Sequence, residues 1–67
     1  MSTAKIIEVI SEGSSIDEAI KNGVKDSAKT LTGIKAVYVK EIQVLVDKQQ
    51  VTVFRTTLKI TFVVDQG

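Results

Sequence analysis

The side chains of this chain that could do chemistry are almost all carboxylates and lysines. Its 67 residues include nine Lys or Arg and eight Asp or Glu, but no histidine and no cysteine. Without these two residue types the chain has no thiolate chemistry, disulfides, zinc fingers or histidine-based proton transfer. Its carboxylates and lysines form no recognisable catalytic pattern. The sequence therefore predicts a protein that is not an enzyme.

Arg55 is the only arginine of the sequence. Its planar guanidinium suits carboxylates, phosphates or stacking on a ring. One interpretation is a pocket that accepts an anionic ligand. The other is an ion pair between Arg55 and Glu41 across a hairpin, which would only stabilise the structure. Both interpretations stay open at the level of the sequence.

The distribution of charge limits which kinds of partner the chain can bind. The net charge is +1, and the basic residues are interleaved with acidic ones instead of forming a stripe for a phosphate backbone. The beginning of the sequence, MSTAKIIEVI, lacks the pattern of a signal peptide, and no apolar run approaches the ~20 residues of a membrane span. We expect no nucleic-acid partner, no membrane partner and a cytoplasmic location.

Hydrophobic periodicity predicts one strand and one helix in the first half of the chain. Residues Lys5–Ile10 are apolar on nearly both faces, which is typical of a strand covered on two sides. A capping box of Ser15 and Glu18 marks the start of a helix of about seventeen residues that stops near Gly33. Gly23 lies inside this helix, and we expect a close contact there because glycine costs about 1 kcal/mol relative to alanine.

Two long strands follow, at Ile34–Asp47 and at Gln50–Val64, joined by a tight turn. The apolar phase of the first one changes near Lys40, which predicts a β-bulge. A right-handed helical crossover followed by a hairpin gives an α+β fold of the β-α-β-β type. Residues 1–67 are expected to form one domain, with a three-stranded antiparallel sheet in the order 1-3-2 wrapped on the helix.

The predicted helix is too short to cover the predicted hairpin. Fourteen strand residues extend over about 45 Å, whereas the helix spans about 25 Å. The projecting half of the hairpin is nevertheless apolar, with Val44, Leu45, Val46, Val51, Val53 and Phe54. An exposed apolar patch with a free strand edge favours association, so we expect the chain to assemble with copies of itself.

Three segments of the sequence together resemble the dodecin family. They are EAIKNGVKDSAKT in the predicted helix, GIKAVYVKE at the start of the second strand and FRTTLKITF in the last strand. The resemblance covers nearly the entire chain. It implies a homododecameric hollow shell that binds flavins in pairs between subunits and stores them.

The resemblance also implies where a flavin would bind and how this chain departs from the pattern. Ala36 stands where flavin-binding dodecins have a tryptophan that stacks on the isoalloxazine ring, and Arg55 stands where they have a glutamine. The other pocket positions are Lys35, Val37, Tyr38 and Glu41. Tyr38, on the same strand face as Ala36, either replaces part of the missing aromatic surface or packs at an interface. The resemblance implies weakened or altered affinity for flavin mononucleotide (FMN) or riboflavin.

The alternative is a structural or calcium-associated shell that binds no flavin. Calcium prefers several oxygen ligands, and the chain has no calcium-binding loop of its own. Acidic residues from several chains would therefore have to converge. The candidate donors are Glu8, Glu12, Asp17, Glu18 and Glu41.

Overall fold

Residues 2–65 form three strands and one helix. In the computed structural model, which describes residues 2–65, the elements are β1 (Ser2–Gly13), α1 (Ile16–Ser27), β2 (Ile34–Asp47) and β3 (Gln50–Asp65). Met1, Gln66 and Gly67 lie outside the described residues. Both strand pairs are antiparallel and the strand order is β1-β3-β2. The predicted β-α-β-β fold and its strand order are confirmed.

The core lies where α1 covers the middle of β3. Because side chains alternate along a strand, the even-numbered residues of β3 face the helix. Among the described residues, the buried apolar side chains are Ala19, Leu58, Ile60 and Phe62. Thr56 is also fully buried; its hydroxyl lies 2.9 Å from Ser11 Oγ, which donates to Ala19 O at 2.7 Å. This hydrogen-bond chain joins β3, β1 and α1.

Ser15 is the N-cap of the helix, as predicted. The Ser15 hydroxyl accepts a hydrogen bond from the backbone N–H of Glu18 at 3.0 Å. The carboxylate of Glu18 reaches one residue further back than the predicted capping box, accepting from Ser14 N at 3.2 Å and Ser14 Oγ at 2.9 Å. The backbone bond and then the hydroxyl bond hold the pKa of Glu18 below its ordinary value, because both favour the charged form.

The predicted end of the helix is wrong. The helix stops at Ser27 after twelve residues, and the chain leaves it through turns in which Lys29, Thr30 and Leu31 donate to carbonyls of the last helical turn. Gly33 instead lies directly before β2. It has a φ of 76°, and a Cβ there would lie 2.8 Å from Val63 O. Gly33 therefore allows β2 to start close against β3.

The first strand is twice the predicted length. It continues past Ile10 through polar residues, because Ser11 hydrogen-bonds to Thr56 and Glu12 pairs with Arg55 across the ladder. The close contact predicted at Gly23 is confirmed. A Cβ at this position would lie 2.6 Å from Leu58 Cδ1 and 2.7 Å from Ser11 Oγ. Only glycine lets α1 approach the sheet so closely.

The second and third strands extend well beyond the rest of the fold. The predicted bulge is confirmed as a register shift between Val39 and Glu41, and two further shifts occur near the ends of β2. Strand β1 ends at Gly13, opposite Phe54, so residues 45–53 form a two-stranded ribbon that we call the hairpin tip. The helix spans only about 18 Å, whereas the protein measures 53 × 19 × 13 Å. In the hairpin tip Val46 and Val51 are 62% and 55% exposed.

Candidate functional site

The sheet surface turned away from α1, which we call the helix-free face, carries most of the predicted ligand site. Residues directly opposite each other in an antiparallel ladder share a face. The register therefore places on this face the residues Ile6, Glu8, Ile10 and Glu12 of β1, Arg55, Thr57, Lys59 and Thr61 of β3, and Ala36, Tyr38, Glu41 and Gln43 of β2. Among the described residues, no other part of the protein covers it.

Large apolar side chains are exposed on the helix-free face. Ile6, Ile10 and Tyr38 are 63%, 67% and 65% accessible to solvent. Tyr38 lies opposite Lys59, and Ala36 lies opposite Thr61 one row further along. Within the described residues, the face thus presents an aromatic ring and an alanine on β2, and β3 separates them from the apolar side chains of β1. Such a surface suits a flat ring ligand or a protein partner.

Within residues 2–65, two ion pairs cross this face. Lys40, the extra residue of the bulge, places Nζ 3.3 Å from Glu8 Oε1 across the middle strand. Arg55 places both Nε and Nη2 2.7 Å from Glu12 Oε2. The predicted pairing of Arg55 with Glu41 is wrong, because the register sets Gln43 opposite Arg55 on β2 and Glu12 opposite it on β1.

Four of the six predicted pocket residues share one face of the sheet, although Arg55 lies six residues along β3 from Thr61, the partner of Ala36, which is about 20 Å. Ala36, Tyr38, Glu41 and Arg55 lie on the helix-free face. Val37 lies opposite the buried Ile60 and therefore faces the helix. The sixth, Lys35, is exposed and lies at the register shift between Ile34 and Ala36. Sequence reasoning did not assign Ile6 and Ile10 to the site and considered Glu12 only as a calcium donor; the register of β1 on β3, which the nearly continuous apolar run of β1 does not reveal, places them there.

A groove of about 690 Å³ runs between α1 and the outer edge of β1. Its lining includes Asn22, Asp26 and Ser27 from the helix and Glu12 from the strand, and Arg55 reaches it. The Asn22 side chain donates to Glu12 O at 2.9 Å, which occupies one carbonyl of the β1 edge. Arg55 and Glu12 therefore lie where this groove meets the helix-free face.

The acidic residues considered as calcium donors are dispersed. Glu8 and Glu12 pair with Lys40 and Arg55, and Asp17 pairs with Lys21 at 3.0 Å. Within residues 2–65, no group of three or more acidic side chains is arranged to hold a metal ion. In the same range, no helix has the length and apolar character needed to cross a membrane.

Fold and helix-free face together define a small α+β protein of the dodecin type. The sequence model of the Dodecin family matches residues 3–65. The chain belongs to the dodecin family.

Solved dodecin structures have the same fold. The dodecin from Streptomyces coelicolor superposes with a TM-score of 0.91 at 22% identity, over 98% of this chain and 96% of that one. The dodecin from Streptomyces davaonensis gives 0.91 at 23% identity, over 97% of each chain. A point variant of the dodecin from T. thermophilus gives 0.92 at 21% identity, over 98% of this chain and 100% of that one. Among curated proteins, none matches the sequence.

Proposed function

We propose that this chain forms a cytoplasmic homododecameric shell that binds and stores a flat ring ligand of the flavin class, with lower affinity than a dodecin that has a stacking tryptophan. In this proposal the protein is a binding protein and not an enzyme. The observation that carries it is the helix-free face, which exposes Tyr38, Ile6 and Ile10 and also carries the Arg55–Glu12 ion pair. Copies of the chain would cover this surface and enclose the ligand between them.

The dimensions of the chain support assembly. Its Cα radius of gyration is 13.9 Å, whereas about 11 Å is expected for a compact chain of this length. It exposes 4898 Å² of surface, and a compact monomer of this mass exposes about 4200 Å². A small domain with so few buried side chains is marginal without disulfides, metals or partner subunits. The sequence has no cysteine, so partner subunits are the support that we propose.

The expected loss of flavin affinity follows from Ala36. An alanine has no aromatic surface, and stacking a ring on an aromatic side chain contributes about 1–3 kcal/mol by analogy with nucleic-acid bases. Tyr38 is exposed on the same face, one row away. We propose that its ring supplies part of the missing stacking surface.

A shell without flavin is the second candidate, and the same observation at Ala36 favours it. In that case the exposed apolar residues would serve only as contacts between copies. Calcium could take part only through acidic residues of several chains, since no single-chain cluster exists within the described residues.

A fluorescence titration with riboflavin and FMN separates the two candidates. We expect the protein to quench flavin fluorescence saturably. Tyr38→Ala should weaken binding by about 5- to 150-fold, the equivalent of 1–3 kcal/mol. Tyr38→Phe, the matched control, keeps the ring and should bind like the original chain. An unchanged flavin signal up to high micromolar protein would rule out flavin storage and leave the flavin-free shell.

A further inference from the structure

The guanidinium of Arg55 is already occupied by a carboxylate of the same chain. Both Nε and Nη2 lie 2.7 Å from Glu12 Oε2. Two N–H groups directed at one carboxylate form a charge-assisted pair of the stronger kind. The Nε–Nη2 edge of the guanidinium is therefore filled by the protein itself.

Glu12 is held in position from two directions. It lies directly opposite Arg55 in the ladder of β1 and β3. Its backbone carbonyl accepts a hydrogen bond from Asn22 Nδ2 at 2.9 Å. The next residue, Gly13, approaches the helix so closely that a Cβ there would lie 2.6 Å from Ala19 N. The end of β1 is thus fixed against α1, and this holds the backbone of Glu12 opposite Arg55.

A phosphate that approaches Arg55 would meet negative charge. At the Nε–Nη2 edge it would have to displace the Glu12 carboxylate, and at the remaining Nη N–H groups it would bind beside that carboxylate, which repels it as a like charge. Asp26 also lines the groove that Arg55 reaches. Replacing the Arg55–Glu12 pair by an Arg55–phosphate pair exchanges one charge-assisted pair for another and adds repulsion. The phosphate therefore gains no binding free energy from the exchange. Lys59, on the same face, has no ion-pair partner within residues 2–65, but it lies four residues from Arg55 along β3.

We propose that Glu12 is a specificity-determining residue of the helix-free face: by occupying Arg55 it excludes phosphate groups and leaves uncharged flat rings as the favoured ligand class. The preference for rings rests on the proposed function. The exclusion of phosphate at Arg55 does not, because it follows from the Arg55–Glu12 geometry alone.

An NMR titration with inorganic phosphate tests the exclusion without any flavin. Arg55 is the only arginine of the sequence, so its Nε–H group gives a single guanidinium signal in a ¹H–¹⁵N spectrum. We expect this signal to stay in place for the original chain. In Glu12→Gln it should move saturably, with phosphate binding at least about tenfold tighter. Equal phosphate binding by both proteins, or a Glu12→Gln signal that does not move, would overturn the proposal.

Asp17→Asn is the matched control for the phosphate titration. It removes one carboxylate and frees Lys21, so the change in charge is the same, but both residues lie on the exposed side of α1. Its Arg55 signal should behave like that of the original chain. A phosphate response as large as that of Glu12→Gln would show that net charge, and not Glu12, controls anion binding.

Flavin titrations of the same proteins test the ligand class. The original chain should bind riboflavin at least as tightly as FMN. Glu12→Gln should shift the preference toward FMN by about five- to tenfold, and Glu12→Gln/Arg55→Gln should reverse that shift. An unshifted preference in Glu12→Gln contradicts the role of Glu12. If no protein binds either flavin, the proposed function and the ring preference fail, while the phosphate titration still decides whether Glu12 blocks Arg55.

Discussion

Replacing Val46 by Glu and Val51 by Lys is expected to break the shell into smaller assemblies. The two residues lie opposite each other in the hairpin tip and are more than half exposed in the single chain. An opposite-charge pair at these positions supports the strand pairing. Buried under a neighbouring copy, the same pair would cost several kcal/mol of desolvation in each interface. Sedimentation should therefore show a large fall in particle mass, with the circular dichroism of a β-rich protein retained.

The matched control for this double variant is Asp47→Glu/Gln50→Lys. It places the same pair of side chains at the neighbouring register position, where both residues are already polar. The control should keep the mass of the original particle. If Val46→Glu/Val51→Lys keeps that mass too, the hairpin tip does not lie between copies.

Combining Ala36→Trp with Arg55→Gln is expected to create tight riboflavin binding. Ala36 is exposed on the helix-free face, so an indole has room there, and it would supply the missing stacking surface. Removing the guanidinium opens the position opposite Glu12 to a neutral hydrogen-bonding group. A stacking contribution of about 1–3 kcal/mol corresponds to a 5- to 150-fold gain in affinity, measurable by quenching of riboflavin fluorescence.

Lys21→Trp combined with Arg55→Gln provides the control for that gain. It adds the same indole to an exposed position of α1, away from the helix-free face. Riboflavin binding should then stay at the level of the original chain. If the Ala36→Trp/Arg55→Gln protein assembles but does not bind riboflavin more tightly, Ala36 and Arg55 do not line the ligand site.

The strands were predictable where the alternation of apolar residues was clear. In β3 the alternation of Phe54 through Phe62 identifies the buried face, and the phase change near Lys40 locates the bulge. Periodicity failed at the ends of β1 and α1. Polar residues such as Ser11 continue β1 because their partners lie on β3, about 45 positions away, and no local pattern reports such a partner. The helix stops early although Ala28 and Leu31 keep its apolar spacing.

The candidate site was only partly predictable for the same reason. Ala36 and Tyr38 share a face because they are two residues apart on one strand, which the sequence shows directly. The partner of Arg55 depends on register: the bulge in β2 shifts that register by one residue, so that Gln43 lies opposite Arg55 and Glu41 lies opposite Thr57. Glu12 became visible as the partner only once β1 was known to reach Gly13.

Sedimentation equilibrium of the purified chain tests most directly whether neighbouring copies cover its uncovered apolar surface. We predict a single species near 88 kDa, the mass of about twelve copies of the 7.3 kDa chain, over a wide range of protein concentrations. A folded and stable species of 7.3 kDa would contradict the account, because the hairpin tip and the helix-free face would then be tolerated in water without a partner.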